Sequence, residues 1–140
     1  MTDVRRDRAW ADANPFVSLI IGPGPTHEQA LALFREIAEG RLQLILTPLV
    51  LLEIVHVLEL RYQRPRAAIA EELVGILQAD GLIVAEKDVL VAALDVFGRD
   101  DRLDFADAYL AASALLVGPP IVASFDRDFD RIEGIRRIAS

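Results

Sequence analysis

The chain has 140 residues, 53% of them hydrophobic, which is enough for one compact domain with its own core and too little for a second. It has no cysteine, so disulfides, thiolate nucleophiles and thiolate zinc sites are excluded, and only oxygen or histidine ligands remain. A net charge of −7 argues against broad nonspecific attraction to nucleic acid, so an RNA substrate would need local basic help.

Met1 to Trp10 carries Arg5, Arg6, Asp7 and Arg8 and lacks the apolar stretch of a secretory signal, so a cytoplasmic location is expected. Asn14-Pro15 reads as a cap followed by the first residue of a helix running to about Ile21. Gly22-Pro23-Gly24-Pro25 breaks the chain, and Thr26 with Gln29 has the form of a capping box ahead of a second helix closed by Gly40. Leu42 to Leu46 has strand length. Thr47-Pro48 repeats the cap-then-proline signal before an apolar helix to about Tyr62. Gln43, Pro48, Glu53, His56 and Glu59 interrupt this most apolar part of the chain, which makes it a poor bilayer span.

Pro65 opens a helix over Arg66 to Ala79, Asp80-Gly81 ends it, and Leu82 to Ala85 reads as a strand. Asp88 to Phe97 reads as a helix and Gly98 through Arg102 as a polar turn. Asp104 caps a helix over about Phe105 to Val117, which Gly118-Pro119-Pro120 stops. Ile121 to Ala123 is a buried strand and Ile135 to Ile138 a last edge strand. Strands alternating with helices predict an α/β fold with a largely parallel sheet covered on both faces, and sites beyond the carboxyl ends of its strands. Asp12 and Asp126 stand at such ends.

Two carboxylates interrupt helices that are otherwise apolar. Glu53 lies among Leu49-Val50-Leu51-Leu52 and Ile54-Val55, where an unpaired charge is costly unless it meets a cation or the helix margin. Asp107 lies among small and apolar residues on the same face as Asp104, where both also suit the cap and first turn of a helix. Asp126 and Asp128 follow a strand, where acids also serve turns. Four acids at the ends or edges of sheet elements suit one or two hard cations such as magnesium or manganese, which activate water and stabilise phosphoryl charge. Arg61, Arg64 and Arg66 form the nearest approach to a phosphate-facing patch; a solvated helix end is the alternative.

Asp12-Ala13-Asn14, Thr47 through Val55, Asp104 through Ala112 and Ser124 through Phe129 together resemble the PIN-domain nucleases, and within them the VapC-like toxins of bacterial toxin–antitoxin pairs. The resemblance covers nearly the whole chain and implies a single PIN domain over residues 1–140, a three-layer sandwich with helices on both faces of a mostly parallel sheet. By resemblance, Asp12, Glu53, Asp107 and Asp126 match the family's metal-site acids for Mg2+ or Mn2+. Asn14 and Ser124 match polar support positions, Asp128 a frequent extra acid, and Asp104 a further supporting one. The resemblance also implies endonucleolytic cleavage of RNA, a homodimer and a cognate antitoxin with an arginine-bearing tail.

Two further readings compete. One is a non-catalytic PIN-like interaction module, against which the four acids argue. The other is a phospho-acceptor receiver-like domain; Lys87 follows a strand as that reading wants, but no mid-chain strand ends on an acceptor aspartate. Asp126-x-Asp128-x-Asp130 is not a calcium loop, because Arg131 and Arg137 hold its glycine and closing-acid positions. His56, three residues from Glu53, reads as a packed histidine.

Overall fold

The computed structural model describes residues 7–139; Met1 to Arg6, with Arg5 and Arg6 of the N-terminal reading, and Ser140 lie outside the described residues. Strands β1 (Asp7–Trp10), β2 (Leu42–Leu46) and β3 (Leu82–Val84) form a parallel sheet with β2 in the middle. Strands β4 (Ile121–Ala123) and β5 (Arg136–Ile138) form a second parallel ladder. Among the described residues every pairing is parallel and there are six α-helices, and the chain is a three-layer α/β fold, as the alternation of elements predicts.

Alternation along β2 sends Leu44 and Leu46 into the core. The opposite side is less completely covered, since Trp10 and Ile83, on the rungs flanking Ile45, are 75% and 37% exposed. Gly81 enters β3 at φ +91, and a Cβ there would stand 2.7 Å from the Ile37 side chain, so only glycine fits.

Helix α1 (Ala13–Ile21) begins two residues earlier than Asn14-Pro15 predicts. Asp12 is its N-cap residue, and Pro15 falls inside the first turn, where no intrahelical partner for its missing N–H is required. Thr26 does not form the expected capping box with α2 (His27–Ala38). Its hydroxyl lies 2.6 Å from that of Ser18 instead, and His27 Nδ1 lies 3.0 Å from the Ser18 carbonyl, which ties the two helices across the Gly-Pro loop.

Helix α3 (Pro48–His56) starts as its sequence indicates, with Thr47 Oγ1 accepting the N–H of Val50 at 3.3 Å and Pro48 in the first turn. It continues into a wider π-helical turn, Val57–Arg61, and Gln63 follows in the left-handed region at φ +51. Helices α4 (Arg66–Leu77), α5 (Lys87–Arg99) and α6 (Phe105–Leu116) pack in sequence, α5 against both neighbours. The polar turn expected from Gly98 starts later. Gly98 remains helical because it is a contact point: a Cβ would come within 2.9 Å of Ala70 Cβ on α4.

Candidate functional site

Asp107 occupies the first turn of α6 and is half-buried. The preceding Asp104 caps that helix, its Oδ1 accepting the Asp107 N–H at 2.8 Å. The cap places two carboxyls side by side. Partial burial, then the charge of Asp104, then that of Asp126 push the Asp107 carboxyl above its ordinary 3.8.

Asp126 arrives from the sheet. Ser124 donates its N–H to the Ile138 carbonyl at 3.0 Å, which fixes the exit of β4 to β5. Its hydroxyl accepts the Asp126 N–H at 3.0 Å, and Asp126 Oδ1 accepts the Asp128 N–H at 2.9 Å, opening the 3-10 turn Arg127–Arg131. Asp128 is paired with Arg131 at 2.9 Å, and Asp130 takes two bonds from Arg137 at 2.9 and 3.2 Å. The arginines that disqualify a calcium loop therefore neutralise its second and third acids. Asp126 makes no ion pair among the described residues.

Asp12 is exposed beyond β1 and makes no capping hydrogen bond with its side chain. Glu53 is also exposed, so its carboxylate takes the helix-margin position that the sequence leaves open. It lies on an open stripe that also leaves Leu49 75% exposed. Glu53 and Asn14 instead line one groove of about 690 Å3, together with Ser18, Thr26, Gln29, Arg61 and Tyr62. Ser18, Thr26, Gln29 and Tyr62 carry no functional motif in the sequence. The available signal was Arg61-Tyr62, a cation beside an aromatic at a helix end. His56 is half-buried on the same helix.

The three candidate phosphate contacts divide. Arg66 bonds Glu59 at 2.6 Å and the carbonyls of Asp100 and Leu103, and lies 4.3 Å over the Phe97 ring. Arg64 is held by Glu72 at 2.6 Å. Arg61 makes no ion pair among the described residues and lies 5.8 Å from the Tyr62 ring centre.

Among the described residues, no three Asp, Glu or His side chains stand close enough together to form a ready-made metal cage. Asp104 and Asp126 each come within electrostatic reach of Asp107; Glu53 and Asn14 are brought to the groove. Helix α3 touches α1 and α6, and α6 touches β4, so the four acids predicted as ligands stand on adjoining elements. Their donors are all carboxylate oxygens, which suits magnesium or manganese in chemistry. Like charges converge fully only where a cation offsets their repulsion.

No helix among the described residues is long and apolar enough to cross a membrane. A family model described as PIN domain matches residues 10–135. No curated protein matches the chain.

Proposed function

Because the chain belongs to the PIN domain family, we propose that it is a metal-dependent endoribonuclease with Asp12, Glu53, Asp107 and Asp126 as ligands for Mg2+ or Mn2+. The family is generally a nuclease fold and typically uses divalent metals. The observation that carries the proposal is the position of Asp107, a half-buried carboxyl pressed toward its protonated form by burial and by two further acids. That concentration of negative charge is what a divalent cation relieves.

When bound, the cation supplies Lewis-acid stabilisation of charge on a phosphoryl oxygen and activates water for attack. The chain's own residues do the positioning. Ser124 orients Asp126 through its backbone N–H, and Asp104 holds the first turn of α6 on which Asp107 stands. Asn14 lines the groove together with Glu53. Asp128, held by Arg131, supports the loop.

On the same reading residues 1–140 are a single PIN domain acting in the cytoplasm as the toxin of a VapC-like pair, homodimeric and inhibited by a cognate antitoxin. The support is the sequence resemblance and an acidic chain, net −7, that attracts a basic inhibitory segment. Purified, partner-free protein should cut defined RNAs with magnesium or manganese, and lose cleavage in chelator and in Asp107→Asn. Cleavage that survives both rejects the metal site. A wild-type protein that binds RNA or a partner but cuts nothing is the non-catalytic module.

A further inference from the structure

We propose that the groove between α1, α2 and the π-helical turn is a subsite for one nucleotide of a single-stranded RNA, with Arg61 meeting a phosphate and Tyr62 stacking on the base. The inference rests on the ribonuclease reading and names the part of the site that holds substrate.

The groove includes Glu53 and Asn14, two of the residues the ribonuclease reading assigns to the centre. Its volume, about 690 Å3, lies within the roughly 300–1,000 Å3 of clefts that enclose small ligands. Gln29 on α2 adds an amide to the groove lining, a group that reads the edges of an unstacked base, beside the Thr26 hydroxyl that is bonded to Ser18. The remaining need is a positive charge, since an acidic chain repels RNA.

Arg61 meets that need. Arg64 and Arg66 nearby are held by Glu72 and Glu59, whereas Arg61 has no acidic partner among the described residues. The backbone sets its place. The wider turn Val57–Arg61 and the left-handed Gln63 end the helix so that Arg61 and Tyr62 both face the groove, the guanidinium 5.8 Å from the ring centre. A cation beside an aromatic face is the pairing that single-stranded nucleic-acid sites use for backbone and base. Trp10 and Phe125 are more exposed, at 75% and 87%, but neither lines this groove.

The test uses a short single-stranded RNA with one photoreactive bromouridine, kept intact in chelator, with binding followed by fluorescence anisotropy. Arg61→Ala should weaken binding about tenfold and lower the dependence of log K on log salt by about one. Tyr62→Leu should cost about tenfold, the loss of one base–aromatic stack, and Tyr62→Phe should bind close to wild type. The ultraviolet adduct should map to Tyr62. Wild-type affinity in both Arg61→Ala and Tyr62→Leu overturns the subsite, as does an adduct on Trp10 or Phe125. An equal loss in Arg99→Ala, which removes the same charge from α5, overturns it too. Asp107→Asn separates the two readings: if it keeps cleavage, the metal-site reading fails even where Tyr62 cross-links; if it loses cleavage while Tyr62 does not cross-link, only the subsite fails.

Discussion

Asp104 and Asp107 are joined twice, by a hydrogen bond from the Asp107 N–H to Asp104 Oδ1 at 2.8 Å and by the repulsion between their carboxylates. The first stabilises the helix and the second strains the site. Substitution separates them. Asp104→Ala removes the cap and should cost about 1 kcal/mol of stability, whereas Asp104→Asn retains the cap at little cost. Both remove the like charge, so the Asp107 carboxyl should titrate at lower pH in each. Urea unfolding with carbon-detected titration of Asp107 measures the two effects; an unmoved Asp107 titration in Asp104→Asn would show that the repulsion is absent.

The raised pKa of Asp107 carries a pH dependence. The native state holds this proton to higher pH than the unfolded chain, so its contribution to stability is full below about 3.8 and is lost as pH rises through the raised value. In metal-free protein Asp107→Asn should therefore be more stable than wild type at neutral pH, and the difference should close as pH falls toward 3.8. Cation binding at the proposed site should reverse the order at neutral pH, because a ligand at 100 times its Kd adds about 2.7 kcal/mol to the form that binds it. Urea midpoints across pH, with and without magnesium, decide it. An Asn variant no more stable than wild type without metal contradicts the proposed strain.

Signals confined to a few residues were legible in the sequence. Thr47-Pro48 and Asp104 cap helices where the sequence places them, Leu42–Leu46 is the strand it reads as, and Ser124 supports Asp126. Properties set by tertiary partners were not. The apolar neighbours of Glu53 leave open a cation partner or the helix margin, and the exposed margin is where it lies, with Leu49 and Leu60 on the same helical stretch 75% and 72% exposed; composition does not say which leucines the core covers. Gly98 stands where the sequence predicts the start of a polar turn, yet it stays helical as a close contact with Ala70. The groove is built from residues 14–18, 26–33 and 53–62, brought together by tertiary packing, so only Asn14, Glu53 and Arg61 hinted at it.

Arg66 is expected to act on stability rather than on RNA. Its guanidinium satisfies the Asp100 and Leu103 carbonyls, pairs with Glu59 at 2.6 Å and covers Phe97 at 4.3 Å, all in a partly buried setting. Arg66→Ala leaves those groups unpaired and removes a cation–π contact, a loss of about 2–4 kcal/mol. Arg66→Lys should recover only part, because an ammonium lacks the planar fork that reaches Glu59 through Nε and both carbonyls through Nη1. RNA affinity, measured below the onset of unfolding, should remain near wild type in both variants. A reduced salt dependence of binding in Arg66→Ala would return this arginine to the phosphate-contacting set.

Ser124 offers the cleanest test of positioning, because its hydroxyl touches Asp126 only through the backbone N–H, at 3.0 Å. Ser124→Ala frees that N–H and lets the carboxylate swing, whereas Ser124→Thr retains the acceptor. Since outer supports of metal ligands are worth about 10–100-fold in metal affinity, manganese binding should weaken by that order in Ser124→Ala and recover in Ser124→Thr. Stability should change by only about 1 kcal/mol, the worth of one hydrogen bond at an exposed turn. Calorimetric titration with manganese alone, without RNA, isolates the effect from cleavage. Equal manganese affinity in wild type and Ser124→Ala removes Asp126 from the ligand set or Ser124 from its support, and titrating Asp126→Asn beside them tells which.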